Sequence, residues 1–303
     1  MLLAMLATAC GGGGRSSSDS LDVVVTTSVW GDVVSEIVGD DAVVEVLIPR
    51  GADAHDYQPT PQQVARIGEA DLVVSNGLGL EEGLADLLET AEGDGANVLE
   101  LASQLDPIAF AEHEEHGEHE EEEGPEHGDL DPHVWFDPTR VASASVLIAE
   151  SLTAIDDTVD WPARAAAYSK SLTEANLEIS LLLDPVTPDS RKLVTNHDSL
   201  GYFARAYDFE VVGVVIPGGS TLGDPSSSEL AALVDVINTE NVSAIFTETS
   251  QSSDLAEAVA AEVGHEIEIV ELYTESLGPA DGPAGTLIGM LTENARRIGS
   301  ALS

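Results

Sequence analysis

The chain reads as an α/β protein of two doubly wound lobes with parallel sheets, joined by a long rigid helix and leaving a cleft between them. Two observations predict this class. Short β-branched runs alternate with helix-like segments in both halves of the chain, the rhythm of a parallel sheet covered on both faces. The halves are separated by an acidic run and two long helical segments, and the rhythm then resumes. A length of 303 residues suits two ordinary domains.

In the first half, residues 22–27 (DVVVTT) predict a buried strand and 30–38 a helix. Residues 43–48 are strand-like, and Thr60-Pro61 then supplies an N-cap with proline in the first helical turn. A strand at 71–75, a helix at 81–90 and a strand at 97–101 follow. Helices are expected at 138–155 and 161–183, the second ending where Pro185 forbids continuation. Strands are expected at 192–195, 210–215, 244–247 and 267–271, with helices between them and a last one at 284–298. The expected division is 1–20 for a leader and tether, 21–158 for the first lobe, 159–185 for the linking helix and 186–303 for the second lobe.

Charge narrows the function. The chain has 56 Asp and Glu against 11 Lys and Arg, a net charge of -45. The segment from Glu112 to Asp131 carries 11 acids and no base, so the acidity is spread over the whole chain. Nucleic acid and anionic membrane surfaces need basic patches, so neither is an expected partner. No stretch approaches the roughly 18 to 20 apolar residues of a membrane span.

The single cysteine, Cys10, excludes an intrachain disulfide. It follows an apolar stretch ending Ala-Thr-Ala and precedes four glycines and a serine-rich segment. This resembles a bacterial lipobox, in which the cysteine is lipidated and becomes the mature N-terminus. The expectation is an extracytoplasmic protein, anchored by lipid on Cys10 to the outer face of the cell membrane or held in the periplasm. Gly11 to Ser20 would be a flexible tether.

Residues 113–138 hold five of the eight histidines. His113, His116, His119 and His127 lie among carboxylates and glycines in a run, 112–130, expected to be a disordered loop. His133 stands in the stiffer segment Asp131-Pro-His133-Val-Trp135-Phe-Asp137-Pro138. Imidazole with carboxylate is the ligand mixture that zinc prefers. Outside this region, His55 lies in a proline-rich loop beyond a strand, and His197 ends the strand 192–195. Asp281 lies one loop beyond the strand 267–271. Ligands in open α/β sheets bind at the carboxyl ends of strands. Three histidines and one carboxylate fill a tetrahedral zinc shell with no position left for water, which suits holding an ion rather than chemistry. No HExxH helix motif is present, and the chain is not read as an enzyme. Glu248 is a rival fourth ligand or a partner orienting an imidazole. Asp137, Asp131 and Asp56 are further candidates for the orienting role. Trp135, Phe136, Tyr202 and Phe203 are read as core.

The segments His55-Asp-Tyr57-Gln-Pro59-Thr-Pro61, Asp131-Pro-His133-Val-Trp135-Phe-Asp137-Pro138, Thr195-Asn-His197-Asp-Ser-Leu-Gly201-Tyr202-Phe203 and Ile245-Phe-Thr-Glu248 together resemble the metal-binding solute-binding proteins of bacterial zinc and manganese ABC importers. The resemblance extends from Leu21 to the C-terminus. It implies one ion between the lobes, held by His55, His133, His197 and Asp281, and delivered to an ABC permease by a monomeric receptor. Manganese-preferring relatives usually have glutamate at the position of His197, so the resemblance favours zinc, with manganese as second choice. Zinc-specific relatives often carry a histidine- and acid-rich loop where 112–130 stands, which implies an accessory role in zinc capture. A zinc buffer or surface adhesin without a permease partner would use the same site.

Overall fold

The structure is a computed structural model that describes residues 20–110 and 130–303. Cys10, His113, His116, His119 and His127, with the roles expected of them, lie outside the described residues. The first half contains β1 (Leu21–Val25), α1 (Ser28–Val38), β2 (Ala42–Val46), α2 (Pro61–Glu69), β3 (Leu72–Ser75), α3 (Ala85–Gly93) and β4 (Val98–Glu100). Two long helices follow, α4 (Pro138–Ile155) and α5 (Trp161–Leu183). The second half contains β5 (Lys192–Thr195), α6 (Gly201–Tyr207), β6 (Glu210–Val214), α7 (Ser227–Glu240), β7 (Ala244–Glu248), α8 (Asp254–Glu262), β8 (Glu268–Leu272) and α9 (Leu287–Leu302).

The strands form two parallel four-stranded sheets, ordered β2-β1-β3-β4 and β6-β5-β7-β8. The two-lobed α/β class expected from the sequence is therefore the class observed. In each sheet the first strand of the lobe lies inside, and the chain reverses its direction of winding there. The winding reverses between β1 and β3 in one sheet and between β5 and β7 in the other, the kind of place where ligands bind at carboxyl strand ends.

Local chemistry sets the helix starts. Thr60 accepts from Gln63 N while the Gln63 side chain accepts from Thr60 N, and Pro61 fills the first turn of α2. Asp137 and Asp160 cap α4 and α5 in the same spirit, each just before or two residues before a proline. Helix α1 begins at Ser28, two residues before the expected start, where Thr27 caps it, and two later starts also differ from expectation. Helix α3 begins at Ala85 because Glu81 is drawn inward, accepting from Thr26 Oγ1 and from the backbone N–H groups of Asn76 and Gly77. Helix α9 begins at Leu287 because Thr286 caps it and the preceding residues 279–285 form turns.

The main core runs through both lobes without a break. It includes Trp30, Val33 and Val74 from the first lobe, and Trp135, Leu172 and Ile179 from the connecting region. Leu277, Met290 and Ile298 from the second half complete it. A smaller cluster, including Val194, Ile237, Ile245 and Val259, fills the far side of the second sheet. Helix α9 packs on α5 closely enough that a Cβ on Gly299 would lie 2.6 Å from the Leu182 carbonyl oxygen. Among the described residues, no helix is long and apolar enough to cross a membrane.

Candidate metal centre

Four segments converge between the sheets, three of them beyond strand ends and one leading into α4. After β2, Leu47 and Ile48 continue the ladder by donating to Val25 O and Thr26 O, and the chain then turns at Pro49–Ala52. Asp53 Oδ1 accepts from His55 N at 2.9 Å and fixes the turn that aims His55 inward. His55 is buried, and neither of its ring nitrogens makes a well-directed hydrogen bond.

His133 is aimed by Asp131, whose Oδ1 lies 2.8 Å from the His133 backbone N and 2.7 Å from its Nδ1. Glycine is required at 201, because a Cβ there would stand 2.6 Å from Asp131 Oδ2. Tyr202 donates to Asp131 O at 2.8 Å, tying the same segment to α6. Trp135 Nε1 donates to Thr274 O, linking the segment to the loop after β8. His197, just beyond β5, is held through Nδ1 by Oε1 of Glu248 at the end of β7. In both His133 and His197 the Nδ1 atom is thus engaged, and Nε2 is left facing the centre.

The fourth member is Glu275, completely buried in the loop after β8. Its Oε1 lies 3.1 Å from His55 Nε2, 3.1 Å from His197 Nε2 and 3.8 Å from His133 Nε2. The His133 and His197 Nε2 atoms are 3.2 Å apart. One ligand atom from each of His55, His133, His197 and Glu275 lies within 4.8 Å of the others. Zinc–nitrogen and zinc–oxygen bonds of about 2.0–2.1 Å place tetrahedral ligand atoms roughly 3.3 Å apart, so these spacings are close to the edges of such a shell. Glu275 Oε1 and both His55 nitrogens lack a directed hydrogen bond, which is costly for buried polar atoms unless something coordinates them.

Electrostatics follow from the packing. Burial pushes Glu275 upward, but His55, His133 and His197 around it outweigh burial and hold its carboxyl well below the usual range. Burial disfavours charge on His197, yet the adjoining Glu248 and Glu275 raise its pKa well above 6.5. His133 is likewise raised, by Asp131 and Glu275 against its burial. The centre is a buried carboxylate beside two imidazoles, His133 and His197, whose charged forms it favours.

The structure brings His55, His133 and His197 together and leaves Asp281 out. Asp281 is exposed in the Pro279–Gly282 turn, where Gly282 N donates to Pro279 O. That turn chemistry accounts for the residue, and Glu275 occupies the place expected of it. Asp281 therefore lies outside the group, and the four side chains that could together hold an ion are His55, His133, His197 and Glu275. Glu248 stands behind His197 as its orienting partner and not among the four converging ligands. Asp137 is not beside the centre: it caps α4 by accepting from Thr139 N and faces Arg140. Asp56 is exposed, whereas Asp131 does orient an imidazole. Trp135, Phe136, Tyr202 and Phe203 are core residues, as read. Glu275 could have been found from its placement three residues beyond β8, inside the otherwise uncharged stretch Leu272-Tyr-Thr-Glu275-Ser-Leu277.

Together the fold and this centre define a two-lobed metal-binding receptor. The family model for the periplasmic zinc-uptake complex component A matches residues 23–301, and the chain belongs to that family, ZnuA. The zinc-binding protein TroA of Treponema pallidum is 30% identical over 95% of this chain and 91% of its own length. A solved structure of TroA superimposes with a TM-score of 0.82, covering 94% of this chain and all of that one, at 30% identity. A manganese-binding lipoprotein, MntA of Halalkalibacterium halodurans, is 29% identical over 100% of this chain and 96% of its own. An iron-binding protein, YfeA of Yersinia pestis, is 28% identical over 89% and 82%. The family serves ABC importers as a substrate-binding component located outside the cytoplasm, so the chain is a metal-binding receptor of that kind.

Proposed function

We propose that this receptor carries zinc, binding one ion through His55, His133, His197 and Glu275 and delivering it to an ABC permease. The observation that carries the choice of zinc is the donor set of three imidazoles and one carboxylate. Nitrogen-rich sets suit zinc, whereas manganese, a harder ion, favours oxygen. A shell filled by four protein ligands leaves no open position for a reacting water, which supports cargo binding over hydrolysis. The orienting bonds from Asp131 and Glu248 keep the two Nε2 atoms directed at the ion and add basicity to each ring.

The relatives named for manganese favour a second reading, a manganese or mixed-metal receptor with the same four ligands. Anchoring through lipid on Cys10 and action as a monomer are parts of the same proposal. The histidine- and acid-rich run 112–130 would serve as an accessory that raises the local zinc concentration.

Competitive titration of the mature protein with zinc and manganese tests the reading. One ion bound per chain is expected, with zinc displacing manganese. Preferential retention of manganese would contradict the zinc assignment. Deleting residues 112–128 is expected to leave the tight site intact while removing weaker additional zinc binding; an unchanged total stoichiometry would contradict the accessory role.

A further inference from the structure

The ligands are all buried, so cargo reaches them only if part of the surround opens. On one side the surround is stitched shut. The Glu275 loop comes from the second half of the chain, yet Ser276 Oγ accepts from Gly51 N at 2.7 Å and Leu277 N donates to Ser28 Oγ at 3.1 Å. Arg50 Nη1 donates to Gly278 O at 2.9 Å, and Leu277 belongs to the core that crosses both lobes. Parting the lobes here would break that core.

The opposite side is held by side-chain hydrogen bonds, with no residue of 217–222 in either apolar core. The segment 217–222, beyond β6, leans from the second lobe over the loop that carries His55. Gly219 lies against the Phe110 ring so closely that a Cβ would stand 1.9 Å from it. Ser220 Oγ donates to Glu82 Oε1 at 2.9 Å, and Thr221 Oγ1 donates to Asp53 Oδ2 at 2.6 Å. Gln251 Nε2, from the turn after β7, donates to the same Asp53 oxygen. Glu82 is 45% exposed and its Oε1 lies 3.9 Å from His55 Nδ1, so a solvent-facing carboxylate stands beside His55 on this side.

Asp53 therefore has two tasks in one carboxylate. Its Oδ1 holds the backbone of His55, and its Oδ2 holds two side chains of the other lobe. We propose that Asp53 is a positioning residue that couples docking of the 217–222 segment to the seating of His55, and so sets how long the ion is retained. The inference rests on the receptor reading above and adds the means by which bound cargo is kept. Asp53 is not a ligand; it acts through His55 and through the closing segment. Its contacts with Thr221 and Gln251 form as the site closes and break as it opens, so their loss speeds dissociation and leaves association almost untouched.

The test uses the full mature chain loaded with zinc. Dissociation is followed by stopped flow against a chelating dye in wild type and in Thr221→Val/Gln251→Leu, which removes the cross-lobe bonds to Asp53 but leaves Asp53 and the four ligands. Two such bonds predict dissociation about tenfold faster, with association within about twofold and stoichiometry still one. Thr221→Val and Gln251→Ala alone, each expected to give about a threefold increase, keep the test decisive should the double variant misfold. An unchanged dissociation rate in folded variants overturns the coupling role while leaving the receptor reading standing. Failure of wild type to bind zinc or manganese overturns both, so the two failures are distinguishable.

Discussion

His133 shows how one residue is fitted for its task. Asp131 takes its backbone N–H and its Nδ1 together, leaving Nε2 toward His197 and Glu275. Asp131→Asn weakens the acceptor that fixes the ring, and a loss of about 10- to 100-fold in zinc affinity is expected by calorimetry; unchanged affinity would show that packing alone orients the ring. Protons provide a second check. The carboxylates beside His133 and His197 raise their pKa values, so their protonated forms stabilise the fold fully below about pH 6.5, and this contribution fades as pH rises through the raised values. Glu275, held low, contributes stability above about pH 4.5 that is lost as pH falls through its depressed value. Zinc competes with the imidazole protons, so binding at pH 7 is expected to release about one proton or more, read from calorimetry in buffers of different ionisation enthalpy. Proton-neutral binding would contradict this electrostatic account. The three histidines were legible in the sequence because His55 and His133 stand in proline-rich segments and His197 stands at the end of a strand. Glu275 was not, since 56 carboxylates compete for attention and burial is decided by tertiary packing.

At the scale of elements, the second half of the chain is tied to the connecting helices by α9. Gly299 permits its approach to α5, and Gly299→Ala drives a methyl toward the Leu182 carbonyl. Overpacking of this kind costs about 1–3 kcal/mol, partly offset by alanine's better helix propensity of roughly 1 kcal/mol. A net loss of about 1–2 kcal/mol in denaturant unfolding is expected, and equal or greater stability would show that the helices separate freely. Boundaries with their own local chemistry were readable, as at Thr60-Pro61, Asp137-Pro138 and Asp160-Trp161-Pro162. The start of α3 was not, because Glu81 answers to Thr26, 55 residues away, rather than to its own helix. The loop after β8 misled for a similar reason: its Pro-Ala-Asp-Gly turn is locally satisfied, while Glu275 is placed by contacts with Ala54 and the histidines.

The whole molecule carries -45 charges, with 11 basic residues to pair them. Most of those bases are already engaged, as where Arg66 meets Asp22, Glu45 and Glu69. Added salt weakens such pairs slightly but screens far more repulsion, since the Debye length falls from about 30 Å at 0.01 M to about 10 Å at 0.1 M. Tm is therefore expected to rise by several degrees over that range and beyond it, and a flat or falling Tm would contradict the claim that repulsion dominates. Charge and the two-lobe rhythm could be read from composition and pattern. The continuous core that joins the lobes could not, because it depends on α9 returning across α5 to the first lobe.

We propose that one ion is held by His55, His133, His197 and Glu275, and not by Asp281. Zinc titration of Glu275→Ala beside Asp281→Ala, each verified as folded by circular dichroism, tests it most directly. Loss of a ligand from a closed shell predicts at least a roughly 100-fold fall in affinity for Glu275→Ala, with Asp281→Ala indistinguishable from wild type. The reverse pattern, affinity lost with Asp281 and kept without Glu275, would contradict the account.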